Sequence, residues 1–267
     1  MVEANRHHPP SAGPLRDLLA RAAPRAQELS DAARARALRR PRPYIERPAG
    51  PVFPVREFFD RPKVDAYKRL FKLDIQDYYF GLPLVWSLLP GRERVRPRHL
   101  LTLATFLASE ACVVAATVAF DDVTGYRDGS DSFNYGPDAP ARRLRRKPLL
   151  TGELTEQEAV RFGWVGVAGA AAASALSIAV ARHRPRWAIG LTALSAAAFI
   201  QYSWGAKLSY HGWAEVVLSG VAFGWVLGPY GLVAGDAGAF VVVQALLFGL
   251  GPMLFGIYSN TNDIEGD

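Results

Sequence analysis

The sequence has a single cysteine, Cys112, among its 267 residues. That excludes an intramolecular disulfide framework and any multi-cysteine zinc or iron–sulfur site. The five histidines, His7, His8, His99, His183 and His211, show no metal-ligand spacing. Charge is scarce as well: only 21% of residues are Asp, Glu, Lys or Arg, and the 20 residues from Phe162 to Ala181 carry none. No long apolar run stands near Met1, so no cleaved secretory signal is expected. Basic residues outnumber acidic ones by 31 to 25, but no basic module interleaved with aromatics is present. A nucleic-acid partner is therefore not expected.

What the chain does have is apolar length. Half its residues are hydrophobic, an average that a soluble two-domain protein could also show. The distribution decides otherwise. Residues 1–77 hold 16 of the 31 basic residues, and the apolar runs follow. One helix needs about 20 apolar residues to cross a bilayer core. Leu100–Phe120, Phe162–Ala181, Trp187–Trp204, Trp213–Val233 and Gly238–Tyr258 meet or approach that length, while Tyr78–Leu89 is short and contains Pro83. Trp164, Trp187, Trp204, Trp213 and Tyr258 stand near span ends, where amphipathic rings prefer the headgroup zone. Gly163, Gly166 and Gly169 allow close helix approach. The fold expected is an all-α, polytopic transmembrane helix bundle of about six spans. It occupies residues 63–267 and is preceded by a disordered basic tail over residues 1–62.

Six spans divide the charge unevenly. Arg92, Arg94, Arg96, Arg98, Arg182, Arg184 and Arg186 fall on one side, and the other 24 Lys and Arg residues fall on the side of the N-terminal tail. The positive-inside rule makes that second side cytoplasmic. A multi-pass protein of the plasma or inner membrane is expected, with the tail, the 121–157 loop, the 205–212 loop and the C-terminus facing the cytoplasm.

Two acidic clusters abut apolar spans on that face. The first runs from Asp121-Asp122 through Asp128 to Asp131, and the second from Asn262-Asp263 to Asp267. In a helix, Asp121 and Asp128 share a face, as do Asp263 and Asp267. Carboxylates gathered at one pocket repel one another unless a cation compensates. Mg²⁺ suits them, because it takes oxygen ligands from a few carboxylates and from substrate phosphates. The metal ligands expected are Asp121, Asp122, Asp128, Asp131, Asp263 and Asp267. The same face carries the Arg142–Lys147 run, and Lys207 lies in the short connection 202–207. A departing diphosphate needs that positive charge. Glu110 lies 11 residues before Asp121, about 16 Å deeper at helical rise. Two readings are open for it: orienting a second substrate, or bonding to a neighbouring helix.

The order of these segments resembles the UbiA-type intramembrane prenyltransferases. The resemblance rests on Asp121-Asp122 to Asp131, Arg146-Lys147-Pro148-Leu149 to Gly152, Tyr202/Lys207/Gly212/Glu215, and Asp263 to Asp267, and it covers roughly residues 75–267. The Gly129-Ser130-Asp131 ending and the Asn262-Asp263-Ile264-Glu265 pattern are closest to the dihydroxynaphthoate and hydroxybenzoate branches. It implies transfer of a prenyl group from a prenyl diphosphate to an aromatic or other electron-rich acceptor, with Mg²⁺ as cofactor and the lipid bilayer as surroundings. Catalytic roles are implied for Asp122, Asp128, Asp263 and Lys207, and diphosphate binding for Arg127, Arg146, Lys147, Lys207 and Tyr202. Two positions depart from the family pattern. Asp121 stands where Asn is usual, and Gly125 stands where a second metal-binding Asp is expected. Asp128, one turn on, is the residue expected to supply that carboxylate. Such enzymes have about nine helices, so the resemblance also implies truncation after Asp267.

Two other readings stay open. A terpene cyclase on the same scaffold would let the cation be captured by its own double bonds. A non-catalytic, truncated membrane protein would leave the acids solvated. The acid run of the CDP-alcohol phosphotransferases, Asp-Gly-x-x-Ala-Arg, is absent.

Overall fold

The computed structural model describes residues 61–72, 77–134 and 146–263. The tail expected over 1–62 thus lies outside the described residues up to position 60. Among the described residues every regular element is helical. In chain order they are α1 (Arg61–Phe71), a 3₁₀ turn (Asp77–Phe80), α2 (Gly81–Leu88), α3 (Gly91–Arg94), α4 (Pro97–Asp128), α5 (Ser130–Asn134), α6 (Glu156–Val180), α7 (Arg186–Ile200), α8 (Ala214–Ala234) and α9 (Ala239–Asp263). Helices α4, α6 and α8 are long and apolar enough to cross a membrane. The apolar α7 has 15 residues, about 22 Å at 1.5 Å per residue, which falls short of the core thickness. It ends early because the chain turns at Gln201–Ala206, inside the span expected over Trp187–Trp204. Helix α2 has eight residues, too few to cross.

Helix α4 departs most from expectation. Its apolar run ends at Phe120, and a loop was expected from residue 121. The helix continues to Asp128 and stops where Gly129 takes φ +84°, a left-handed conformation that glycine adopts without penalty. Its 32 residues span about 48 Å, well beyond a hydrocarbon layer of about 30 Å. Packing keeps the extra turns helical. Val123 and Tyr126 are buried with Ala66, Tyr67 and Leu70 of α1 and with Leu149, Leu154 and Ala159 in a satellite core at this end. The larger core lies among α2, α4, α7, α8 and α9, where Trp225 and Phe106 are the largest fully buried side chains.

Helix α6 lies along α4 through the glycine stripe. A Cβ at Gly163 would strike the Phe120 ring at 2.6 Å, and one at Gly166 would meet the Cys112 carbonyl at 2.9 Å. Polar pairs add to this contact: Ser109 donates to the Ala170 carbonyl at 3.1 Å, and Ser177 to the Thr102 carbonyl at 3.0 Å. Within an apolar bundle such bonds join helices that the hydrophobic effect alone would not hold together. Helix α6 opens with a capping box, in which Glu158 N–H donates to Thr155 Oγ1 at 3.3 Å and Thr155 N–H donates to Glu158 Oε2 at 2.6 Å. Lys63 reaches the same Glu158 at 2.6 Å, and Arg69 forks onto both oxygens of Glu153. These pairs pin α1 across the start of α6.

Candidate functional site

The site forms where α4 runs past its apolar stretch. Asp122 is fully buried, and its Oδ1 accepts hydrogen bonds from Lys72 Nζ at 2.7 Å and Lys147 Nζ at 2.8 Å. Lys147 Nζ also donates to Asp131 Oδ1 at 2.7 Å, so one ammonium bridges two carboxylates. Lys147 and Asp131 are themselves buried. Burial pushes the Asp131 carboxyl up to about 6, against the opposing pull of Lys147. Asp122 and Asp121 add to the rise through like-charge repulsion.

Local structure delivers each group. Lys72 ends α1 at φ +48°. Lys147 precedes a tight turn in which the amides of Leu150 and Thr151 return to its carbonyl at 3.0 and 3.2 Å. Asp131 arrives on the one-turn helix α5, started by the break at Gly129.

The other predicted residues occupy a second face of the same helix. Asp121 and Asp128, seven apart, both point to the connection between α7 and α8. Asp121 accepts from Ser203 Oγ at 2.5 Å, and Asp128 accepts from Tyr210 O–H at 2.9 Å. Asp128 also accepts from the Ser130 amide at 3.0 Å, closing the turn after Gly129. The structure therefore gives Asp128 a turn and a tyrosine, and does not bring it to the gap at Gly125. Lys207 is exposed with φ +50°, its ammonium 5.2 Å from the Tyr210 ring centroid. The Tyr202 carbonyl accepts from the Ser209 amide and hydroxyl at 3.0 and 2.8 Å, which folds this connection back on itself. Arg127 pairs with Glu156 at 2.8 Å and lies over the Trp204 ring, and Arg146 is exposed beside Lys147.

Helix α9 returns antiparallel to α8, with Phe248 near Val226 and Gly256 near Leu218, so its last turn runs toward the end of the bundle where α8 begins. The Asp263 side chain and the whole of Asp267 lie outside the described residues. Among the described residues no three His, Cys, Asp or Glu side chains gather as a metal-binding group.

One atom bears on whether a cation fits the Asp122 centre. Its Oδ2 is buried and accepts no hydrogen bond among the described residues, whereas buried polar atoms are nearly always paired. Two buried carboxylates with one unclaimed oxygen fit an oxygen-seeking ion that completes its shell with substrate phosphates. Glu110 shows a similar deficit. It is buried within α4, and among the described residues neither of its oxygens has a hydrogen-bond partner.

Sequence reasoning missed Lys72. The signal was the spacing of Ala66, Tyr67 and Leu70 among Lys63, Lys68 and Arg69, a helical stripe with basic flanks. The helix ends at Phe71, and Lys72 follows it in the left-handed conformation, φ +48°.

No curated protein and no solved structure matches the chain. The UbiA prenyltransferase family does match, over residues 81–267. Ion-paired acids at the end of a long apolar helix, beside a buried lysine from the following segment, accompany that match in a chain that belongs to the UbiA prenyltransferase family.

Proposed function

We propose that this membrane protein transfers a prenyl group from a prenyl diphosphate to an aromatic or other electron-rich acceptor, in a Mg²⁺-dependent reaction. The observation that carries the reading is Asp122, buried between Lys72 and Lys147 with one oxygen unclaimed. In this reading Asp122 and Asp131 would hold Mg²⁺ together with Asp263 and Asp267. When bound, the ion offsets carboxylate repulsion and polarises the diphosphate.

The chain's own cations do the rest. Lys72 and Lys147 stand where negative charge grows on the leaving diphosphate, and they act in a buried setting where such charge counts for more than in water. The bond between the prenyl C1 and oxygen breaks, and its electron pair leaves with the diphosphate. The allylic cation then takes electrons from the acceptor, which loses a proton. Arg146, beside Lys147, serves the approach of the diphosphate from the open side. Lys207 and Tyr202 belong to the rim formed by the connection after α7, with Asp121 and Asp128 holding that rim to α4. The concentration of Lys and Arg on this side supports a site that faces the cytoplasm.

The test uses the full chain in lipid nanodiscs supplied with farnesyl or geranylgeranyl diphosphate. Diphosphate release is expected to require Mg²⁺ and to fall by about 10²–10³-fold in Asp122→Asn, the usual scale for removing one preorganised charge-stabilising group. Release that is indifferent to Mg²⁺ and to Asp122→Asn overturns the reading. Formation of a cyclic hydrocarbon or alcohol without acceptor assigns the chain to cyclisation instead.

A further inference from the structure

Away from the acids at the end of α4, three residues of the bundle interior keep buried polar atoms with no hydrogen-bond partner among the described residues. They are Glu110, through both carboxyl oxygens, Thr192 through Oγ1, and Tyr79 through its hydroxyl. Glu110 is 1% exposed and Thr192 5%. The backbone sets these two at one height. Thr117 of α4 donates to the Phe199 carbonyl of α7 at 3.1 Å, and Asp121 accepts from Ser203 at 2.5 Å. Both bonds join residues 82 apart, so α4 and α7 run parallel in a register that brings Glu110 level with Thr192. Tyr79 enters from the 3₁₀ turn before α2. Two residues on, a Cβ at Gly81 would meet Val226 of α8 at 3.5 Å, and one at Gly228 of the same helix would stand 2.4 Å from Thr192 Oγ1. The Glu110 charge is near enough to act on the Tyr79 hydroxyl, yet no hydrogen bond joins the two.

Polar groups left unpaired in an apolar interior cost stability, and ionisable ones kept inside membrane helices mark functional positions. We infer that Glu110, Thr192 and Tyr79 bind the hydroxyl group of a hydroxylated aromatic acceptor. Chemistry narrows the ligand to that class. A prenyl tail is hydrocarbon and offers these groups nothing. A diphosphate stays with Asp122, 12 residues and about 18 Å further along α4. An anionic ligand end would face the Glu110 carboxyl, with which no Lys, Arg or His pairs among the described residues. A neutral hydroxyl donates to Glu110 and accepts from Tyr79 or Thr192. It also makes its ring electron-rich, as trapping an allylic cation requires, whereas an ammonium on the ring would withdraw electrons. Tyr79 is half-exposed and sits on a single 3₁₀ turn, which makes its ring the movable wall through which the ligand enters. This inference rests on the prenyl-transfer reading above and specifies its acceptor.

Hydroquinone and 2-naphthol serve as probes, each compared with its full methyl ether. Binding to the whole chain in lipid nanodiscs is measured without prenyl substrate, with empty nanodiscs subtracted. The wild type is expected to hold each hydroxyl probe about tenfold more tightly than its ether, the scale of hydrogen bonding to a carboxyl group. Infrared difference spectra should show a carboxyl band that moves when the hydroxyl probe binds and is missing from Glu110→Leu. Glu110→Leu should erase the preference, and Tyr79→Phe and Thr192→Val should each reduce it. With farnesyl diphosphate and Mg²⁺ present, the losses should fall mainly in KM for the hydroxyl probe.

Melting temperature separates this role from a structural one. Removing a buried group that lacks a partner relieves a cost, so Glu110→Leu, Tyr79→Phe and Thr192→Val are expected to melt at or above the wild-type temperature. A wild type that releases no diphosphate with Mg²⁺ sinks the prenyl-transfer reading and the acceptor with it. A wild type that does release diphosphate sinks this inference alone if it binds hydroxyl probes no better than ethers, if Glu110→Leu keeps the preference, or if all three variants melt lower.

Discussion

Asp121 and Asp122 are adjacent in the chain and live in different places. Asp122 turns inward, fully buried between two lysines. Asp121 turns toward the connection after α7 and takes one serine hydroxyl. Residue 128, seven after Asp121, follows it to that connection, whereas Gly125, three after Asp122, lies under Asp131. Two helical turns thus present two acidic faces, one buried against two lysines, the other hydrogen-bonded to the connection after α7. Proximity in an acid-rich motif says little about shared work. The roughly 100° between neighbouring helical residues decides it.

The largest expected effect breaks this comparison directly. Asp122→Asn should abolish most diphosphate release, while Asp121→Asn should cost less than about tenfold, a single exchanged hydrogen bond being worth about 1 kcal/mol. Comparable losses in the two variants would show that both faces reach substrate. Next in size is the contrast between two lysines. Lys147→Met removes a buried cation shared by two carboxylates and should cost about 10²-fold in release. Lys207→Met removes an exposed cation from the rim and should cost less, with the change falling mainly in KM.

A third prediction concerns pH. The Asp131 carboxyl, raised to about 6, binds its proton more tightly in the folded protein than in the unfolded chain. Its contribution to folding stability is therefore greatest in acid and fades as pH rises through about 6. Metal binding needs the ionised form, so Mn²⁺ affinity should run the other way and weaken as pH falls below about 6. A titration of affinity between pH 5 and 8 checks the sign, and Asp131→Asn should flatten it.

The smallest effects test the scaffold. Gly163→Ala forces a methyl against the Phe120 ring, one residue before the acids begin, and should cost about 1–3 kcal/mol of stability as overpacking does. Arg127→Ala removes a half-exposed pair with Glu156 on the outer side and should cost less than about 1 kcal/mol. Thermal melts in a single detergent would rank the two.

Much of the bundle was legible in the sequence because apolar length and small-residue spacing are local signals. Phe162–Ala181 coincides with most of α6, and Gly163 and Gly166 lie where α6 meets α4. The end of α4 was not legible. The charges at Asp121 and Asp122 break the apolar run, and what sustains the helix beyond them is cover from α1 and the 147–154 segment, distant in sequence. The same distance hid Lys72, and it hid the route by which Asp131 reaches Gly125. Lys147 was readable from its Arg-Lys-Pro-Leu setting, but not its choice of Asp122 and Asp131 as partners. Periodicity reports which way a residue faces on its own helix, while the identity of what faces it belongs to the tertiary structure.

Helix α1 carries one practical consequence for anyone who edits this protein. The family match begins at residue 81, so a minimal version trimmed to that point, or a chimera joined there to a foreign leader, would retain the apolar bundle. It would also delete Lys63, Arg69 and Lys72, which belong to α1 and the residue after it, and with them one of the two ammonium groups on Asp122. A cut upstream of Arg61 keeps all three ion pairs.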